Sequence, residues 1–186
     1  MSKQILNINS FSQAGQLAKG TIQVPLNTFR LISSNDIAAK NATDGGIISK
    51  DTAPIFERVN AATDKATRLS WASASVIEIA SPTIVFPNDI DVASPVVINI
   101  LAAMKAASVD VPVLAVGCFV GVGDTNCGGN TAALSTTLSQ LTVSIAAADL
   151  GTAPNFLNFT ITPGTHATAS NDVYVYGVWL TYTRKA

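Results

Sequence analysis

The stretch that decides the fold is Asp172-Val173-Tyr174-Val175-Tyr176-Gly177-Val178-Trp179-Leu180-Thr181-Tyr182-Thr183-Arg184. β-Branched and aromatic residues dominate it and no proline interrupts it, which reads as one long strand. Tyr174, Tyr176, Val178, Leu180 and Tyr182 fall on one face. Val173, Val175, Gly177 and Trp179 fall on the other, before Thr181 and Thr183 turn it polar. Burial on one side gives clean alternation, whereas here both faces are apolar for about half the length. Two explanations stand: a central strand with one face under a loop, or a face buried against another subunit.

Working back from that strand, the pattern is all-β. Leu157, Phe159 and Ile161 alternate with Asn158 and Thr160, and Leu141, Val143 and Ile145 with Thr142 and Ser144. Pro112 opens an apolar run to Val120, and Pro95 opens Val96 to Leu101. Thr83-Ile84-Val85-Phe86 is closed by Pro87-Asn88-Asp89, a turn signal. Leu69 and Trp71, then Ile77 and Ile79, complete the series. Leu101 to Ala107 favours helix by composition but follows a β-rich segment without a cap, so it reads as a strand running into a loop. About eight antiparallel strands at this spacing, between residues 66 and 186, predict a sandwich or barrel.

Residues 1 to 65 differ. They are dense in Ser, Asn, Gln and Lys, carry a Gly45-Gly46 break, and show only short apolar clusters at Ile22/Val24 and Phe29/Leu31. Thr21 to Val24 alternates as one strand, and Asp51 to Arg58, with Pro54 near its start, suggests a single helical turn. No period persists long enough for a core. The segment reads as an extended arm that docks on something.

Composition narrows the function classes. The 186 residues are 48% hydrophobic and 12% charged with a formal net charge of -1, against about 25% charged in typical soluble chains. Disorder is excluded for the bulk of the chain. Nucleic-acid binding is disfavoured, because the 11 basic residues are scattered and phosphate neutralisation needs them clustered. A surface this poor in charge does little to keep copies apart, which predicts that other subunits cover much of it. Met1 to Gly15 lacks the apolar run of a signal peptide. Val111 to Val122 is short of the roughly 20 residues a membrane span needs. Synthesis in the cytoplasm is the expectation, with no membrane partner. Cys118 and Cys127 read as free thiols there.

The chemistry-bearing residues are sparse. His166 is the single histidine and reads as part of a polar surface loop without a neighbouring acid, so general-base catalysis lacks a partner. One histidine and two cysteines nine apart match no zinc pattern. Gly121 to Asn130 lacks the Gly-Lys-Ser/Thr of a phosphate loop. Asp124 and Asn126 there offer oxygens to a weakly held calcium ion but lack the EF-hand spacing, and a wide turn exploiting glycine is the plainer reading. Asp89 and Asp91 form the closest acidic pair, but adjacent turn carboxylates more often cap backbone N–H groups than hydrolyse glycosides. No catalytic, cofactor or metal residue is expected. The candidate partner contacts are Ile22, Val24, Phe29, Leu31, Val173, Val175 and Trp179.

Arg68-Leu69-Ser70-Trp71-Ala72, the Pro87 to Asp91 turn, Gly121-Val122-Gly123-Asp124-Thr125-Asn126, Leu141 to Gly151, Thr162-Pro163-Gly164 and the ending Tyr174 to Lys185 resemble a group of tailed-bacteriophage proteins. The likeness runs over roughly residues 44 to 185, and Cys127 departs from the small residue expected there. The resemblance implies a virion structural protein with a jelly-roll domain, of the head decoration (cement) type, made in the host cytoplasm. Such a protein would be a homotrimer on the capsid surface, bound to the major capsid protein, with residues 1 to 65 lashing its neighbours. The alternative with the same fold is a receptor- or carbohydrate-binding tip of a head or tail fibre. A glycan depolymerase is a remote third.

Overall fold

The computed structural model describes residues 18–33, 36–37, 46–48, 54–59, 65–72, 74–106, 110–122, 125–152, 155–166 and 171–185. They form an all-β sandwich of two antiparallel sheets, as the jelly-roll expectation requires. One sheet has the order β11(Ser139–Ile145), β8(Val96–Met104), β13(Val173–Thr183), β5(Thr67–Trp71), β4(Ile55–Arg58), with β1(Lys19–Val24) also on β13. The other has the order β10(Gly129–Asn130), β9(Leu114–Val120), β12(Phe156–Pro163), β6(Ile79–Ala80), β2(Arg30–Ser33), β3(Asp36–Ile37), with β7(Ile84–Val85) also on β12. Leu101 to Met104 is strand, as read.

The last strand, β13, organises the first sheet. One side pairs with β8 from Val173 to Thr181. The other pairs with β5 at Val173 to Val175 and with β1 at Val178 to Thr183. The register against β8 slips between Val175 and Gly177, so Tyr176 is the extra residue of a bulge. A one-residue slip exchanges the faces of everything beyond it. Val173 and Val175 therefore point into the core before the bulge, and Val178, Leu180 and Tyr182 after it. That is why both faces of the sequence look apolar: the inward face changes parity at Tyr176. No second subunit is needed to explain it.

Two further expectations are corrected. Among the described residues before 65, β1, β2 and β4 are strands of the two sheets, where a segment without a core was expected, and Ile55–Arg58 is extended rather than a helical turn. Phe29 lies between the sheets with its ring edge-on to Phe159 at 5.8 Å. Residues 1–17 lie outside the described residues. His166 is fully buried rather than on a surface loop. Its Nδ1 lies 2.7 Å from the Gly164 carbonyl oxygen and its Nε2 3.1 Å from that of Ala72, so the ring ties the end of β5 to the loop after β12.

The bulge makes a direct prediction. Val175→Ala and Val178→Ala, at positions of opposite parity, each lower unfolding stability by about 2 kcal/mol through lost burial. Gly177→Ala, whose added Cβ would lie 3.9 Å from Leu101 Cβ, an ordinary contact, shifts it by no more than about 0.5 kcal/mol. Urea denaturation of the three variants checks this.

Candidate functional site

The outer face of the second sheet carries a hollow among the described residues. Leu114, Val116, Cys118 and Val120 of β9 point inward, as do Leu157, Phe159 and Ile161 of β12. Ala115, Gly117 and Phe119, with Asn158, Thr160 and Thr162, are left on the outside. Register then aligns one row across four strands: Gly117 opposite Thr160, Thr160 opposite Ala80, and Ala80 opposite Arg30. The row is small at Gly117, Thr160 and Ala80 and large only at Arg30. A groove of about 760 Å³ results, lined by Arg30, Glu78, Ser81, Phe119, Asn158 and Thr160 among others. A second hollow of about 300 Å³, beside Asn126 and Asn130, shares Glu78, Phe119 and Thr160 with it.

Each polar group in the groove is held by an identifiable neighbour or left open. A Cβ on Gly117 would lie 2.6 Å from Thr160 Oγ1, so only glycine there leaves that hydroxyl its place. Asn158 Nδ2 donates to the Ser81 carbonyl at 2.9 Å, which fixes the amide plane and leaves Oδ1 to accept. Arg30 Nη1 donates to the Phe29 carbonyl at 3.1 Å and the Asn27 carbonyl at 3.3 Å. Neither Arg30 nor Glu78 has an ion-pair partner among the described residues. Phe119 stands 36% exposed between the two hollows.

Asn126, Gly128, Gly129 and Asn130 line the second hollow. Asn126 Oδ1 accepts from the Cys118 and Gly128 N–H groups at 2.8 and 2.9 Å, standing in for a missing strand. Its Nδ2 thereby comes over Gly117. Gly128 has no room for a side chain, because a Cβ would collide with the Val116 carbonyl oxygen. Gly121 has φ of +80°, which glycine adopts without strain. Cys118 and Cys127 are not bridged; the Cys127 thiol donates to the Cys118 carbonyl oxygen at 3.3 Å. Asp124 lies outside the described residues, and no cluster of three metal-ligating side chains occurs among those described.

The residues singled out from the sequence are distributed otherwise. Val24, Phe29, Leu31, Val173 and Val175 are buried in this chain's own core, which removes them as partner contacts. Ile22 packs against that core, and Trp179 is half-buried on the outer face of the first sheet, opposite Asn99 and Gln23. On the same face Arg68 lies 3.5 Å over the Tyr174 ring, pairs with Glu57 at 2.8 Å and donates to the Tyr176 hydroxyl at 3.0 Å. Burial works against the Arg68 charge, yet the bonds to Tyr176 and Glu57 outweigh it and hold its pKa above the usual value. Burial pushes the Tyr174 phenol up.

Asp91 and Asp89 are structural. Asp91 accepts from the Ala93 N–H and the Ser94 hydroxyl, an Asx-turn as read, while Asp89 pairs with Arg184 at 3.3 Å. The Ser94 hydroxyl first, then the Ala93 N–H, hold the Asp91 carboxyl below its ordinary range. None of the groove's Gly117, Phe119, Asn158, Thr160, Arg30 or Glu78 was among the sequence candidates. The available signal was a lone aromatic, Phe119, on the otherwise small and polar side of β9.

Comparisons with known proteins bear on the fold. No family model and no curated protein matches the chain. Among solved structures it is similar to a xylan-binding module, CBM15, with a TM-score of 0.51 and 12% identity over 91% of this chain and 100% of that one. The C-terminal CBM6 of LamC, a laminarinase of the marine Zobellia galactanivorans, gives 0.45 at 11% identity over 87% and 99%. An infectious bursal disease virus structure gives 0.28 at 13% over 90% and 57%. At such identities the likeness to the xylan-binding module shows the β-sandwich fold alone.

Lowered in the folded state, the Asp91 pKa adds stability that is present above the unfolded value of 3.8 and is lost as pH falls through the folded one. Thermal melts of wild type and Asp91→Ala should differ at neutral pH and converge on the acid side of that value.

Proposed function

We propose that this chain is a carbohydrate-binding β-sandwich, the groove across β9, β12, β6 and β2 being its ligand face. The observation that carries this reading is the groove's make-up: an exposed phenyl ring beside an amide oxygen, a guanidinium and a carboxylate, over a floor of Thr160 and Ala80. Sugars offer apolar C–H faces and rims of hydroxyls that both donate and accept. An aromatic surface matches the first, and oriented planar polar groups match the second. Arg30, whose Nη1 is held by the Asn27 and Phe29 carbonyls, and Glu78 have no ion-pair partner among the described residues, so their charges can meet a ligand's hydroxyls. Glu78 is the one carboxylate among the described lining residues, and glycoside hydrolysis ordinarily takes two; this supports binding rather than turnover.

The virion decoration reading is the second proposal. It draws support from the exposed apolar side chains at one end of the same sheet, Val85 at 70% and Val122 at 93% exposure, where a lattice partner would remove them from water. Lashing by the N-terminal segment now concerns residues 1–17, which lie outside the described ones.

Calorimetric titration with soluble xylan, laminarin and cello-oligosaccharides tests the leading proposal. Binding to at least one is expected. Phe119→Ala, and Ala80→Leu to fill the floor, should each weaken it by about tenfold, near 1.4 kcal/mol, without lowering the melting temperature. No binding to any neutral glycan, together with saturable binding to purified phage heads, would transfer support to decoration.

A further inference from the structure

Sheet edges expose unpaired backbone groups, and natural proteins guard them with charge, proline, bulges or brevity. Most edges here are guarded. β1 begins at Lys19 and is stopped by Pro25, and β4 carries Glu57 and Arg58. β3, β7 and β10 are two residues each. β11 is the exception. It runs seven residues, Ser139–Ile145, in unbroken register with β8 on one side. Among the described residues, no backbone hydrogen bond leaves its other side. It contains no charge, proline or bulge, and no charged residue occurs from 125 to 148.

We infer that β11 pairs with β11 of a second copy of this chain, antiparallel about a two-fold axis through Thr142. The strand's own pattern argues for that occupant. Centred on Thr142, the register sets Leu141 against Val143 on the core side, where both are already buried. On the outer side it sets Gln140 against Ser144 and Thr142 against its counterpart, neutral pairs able to hydrogen-bond across strands. Leu138, 49% exposed just before β11, comes opposite Ala146 of the second copy. Apolar meets apolar, polar meets polar, and no like charges oppose. The contact is isologous, so it closes at two copies and does not propagate. It joins the two first sheets into one continuous sheet and leaves the groove of the second sheet open, so it stands independently of the carbohydrate reading.

Sedimentation velocity of the full chain tests this. The wild type should sediment as a dimer at micromolar concentration. Thr142→Lys places two ammonium groups across the axis and should raise the dissociation constant about tenfold or more. Thr21→Lys, on β1 of the same outer face, should leave it unchanged. Ser144→Lys serves as the second edge variant if Thr142→Lys fails to give a wild-type circular dichroism spectrum. A wild type that is a monomer or a trimer, or edge variants that dimerise like wild type, would overturn the inference.

Discussion

The bulge at Tyr176 is the constraint on which the first sheet depends. Within the first sheet β13 has the most neighbours, bonded to β8 along one side and to β5 and β1 in succession along the other. An unbroken ladder would carry Val173 and Val175 to the core but turn Val178, Leu180 and Tyr182 outward. The extra residue reverses the phase at the junction of β5 and β1, so both halves bury their apolar side chains. Packing against the second sheet follows from this, with Phe29 set between the sheets against Phe159.

The sequence carried the fold class plainly, because period-two alternation in β11 and β12 reports one-sided burial without reference to partners. It was less informative where a position's meaning depends on distant chain. The last strand's two apolar faces implied a buried surface on each side, since a bulge has no local signature beyond Gly177 following Tyr176. Val24, Phe29 and Leu31 looked stranded because their core is supplied by residues more than a hundred positions away. His166 looked like a loop residue because the Ala72 carbonyl beside its Nε2 belongs to a distant segment, just past the end of β5. The groove was illegible for the same reason. Gly117, Thr160, Ala80 and Arg30 become neighbours only through strand register.

Low charge acquires a structural meaning from these assignments. The first sheet's outer face satisfies itself, with Arg68, Glu57, Tyr174, Tyr176 and the Lys105–Asp172 pair bound to one another, and Asn99 bonded to Gln140 and Thr181. The second sheet's outer face does not. Its polar side chains gather in a groove whose floor is kept low by Ala80, beside a second hollow over Gly117. Scarcity of charge elsewhere follows the unguarded edge of β11, where a second strand of the same sequence fits both faces. On the two proposals, the roles fall on separate surfaces: one sheet edge for self-association, and the other sheet's outer face for a ligand rich in hydroxyls.

Backbone amide shifts followed during titration with a soluble xylo-oligosaccharide, and then with laminari- and cello-oligosaccharides, test the ligand face most directly. The account predicts saturable shifts concentrated at Gly117, Phe119, Asn158, Thr160 and Ala80, with little change on the first sheet. Shifts centred on Trp179 and Asn99, or none with any of the three sugars, would contradict it.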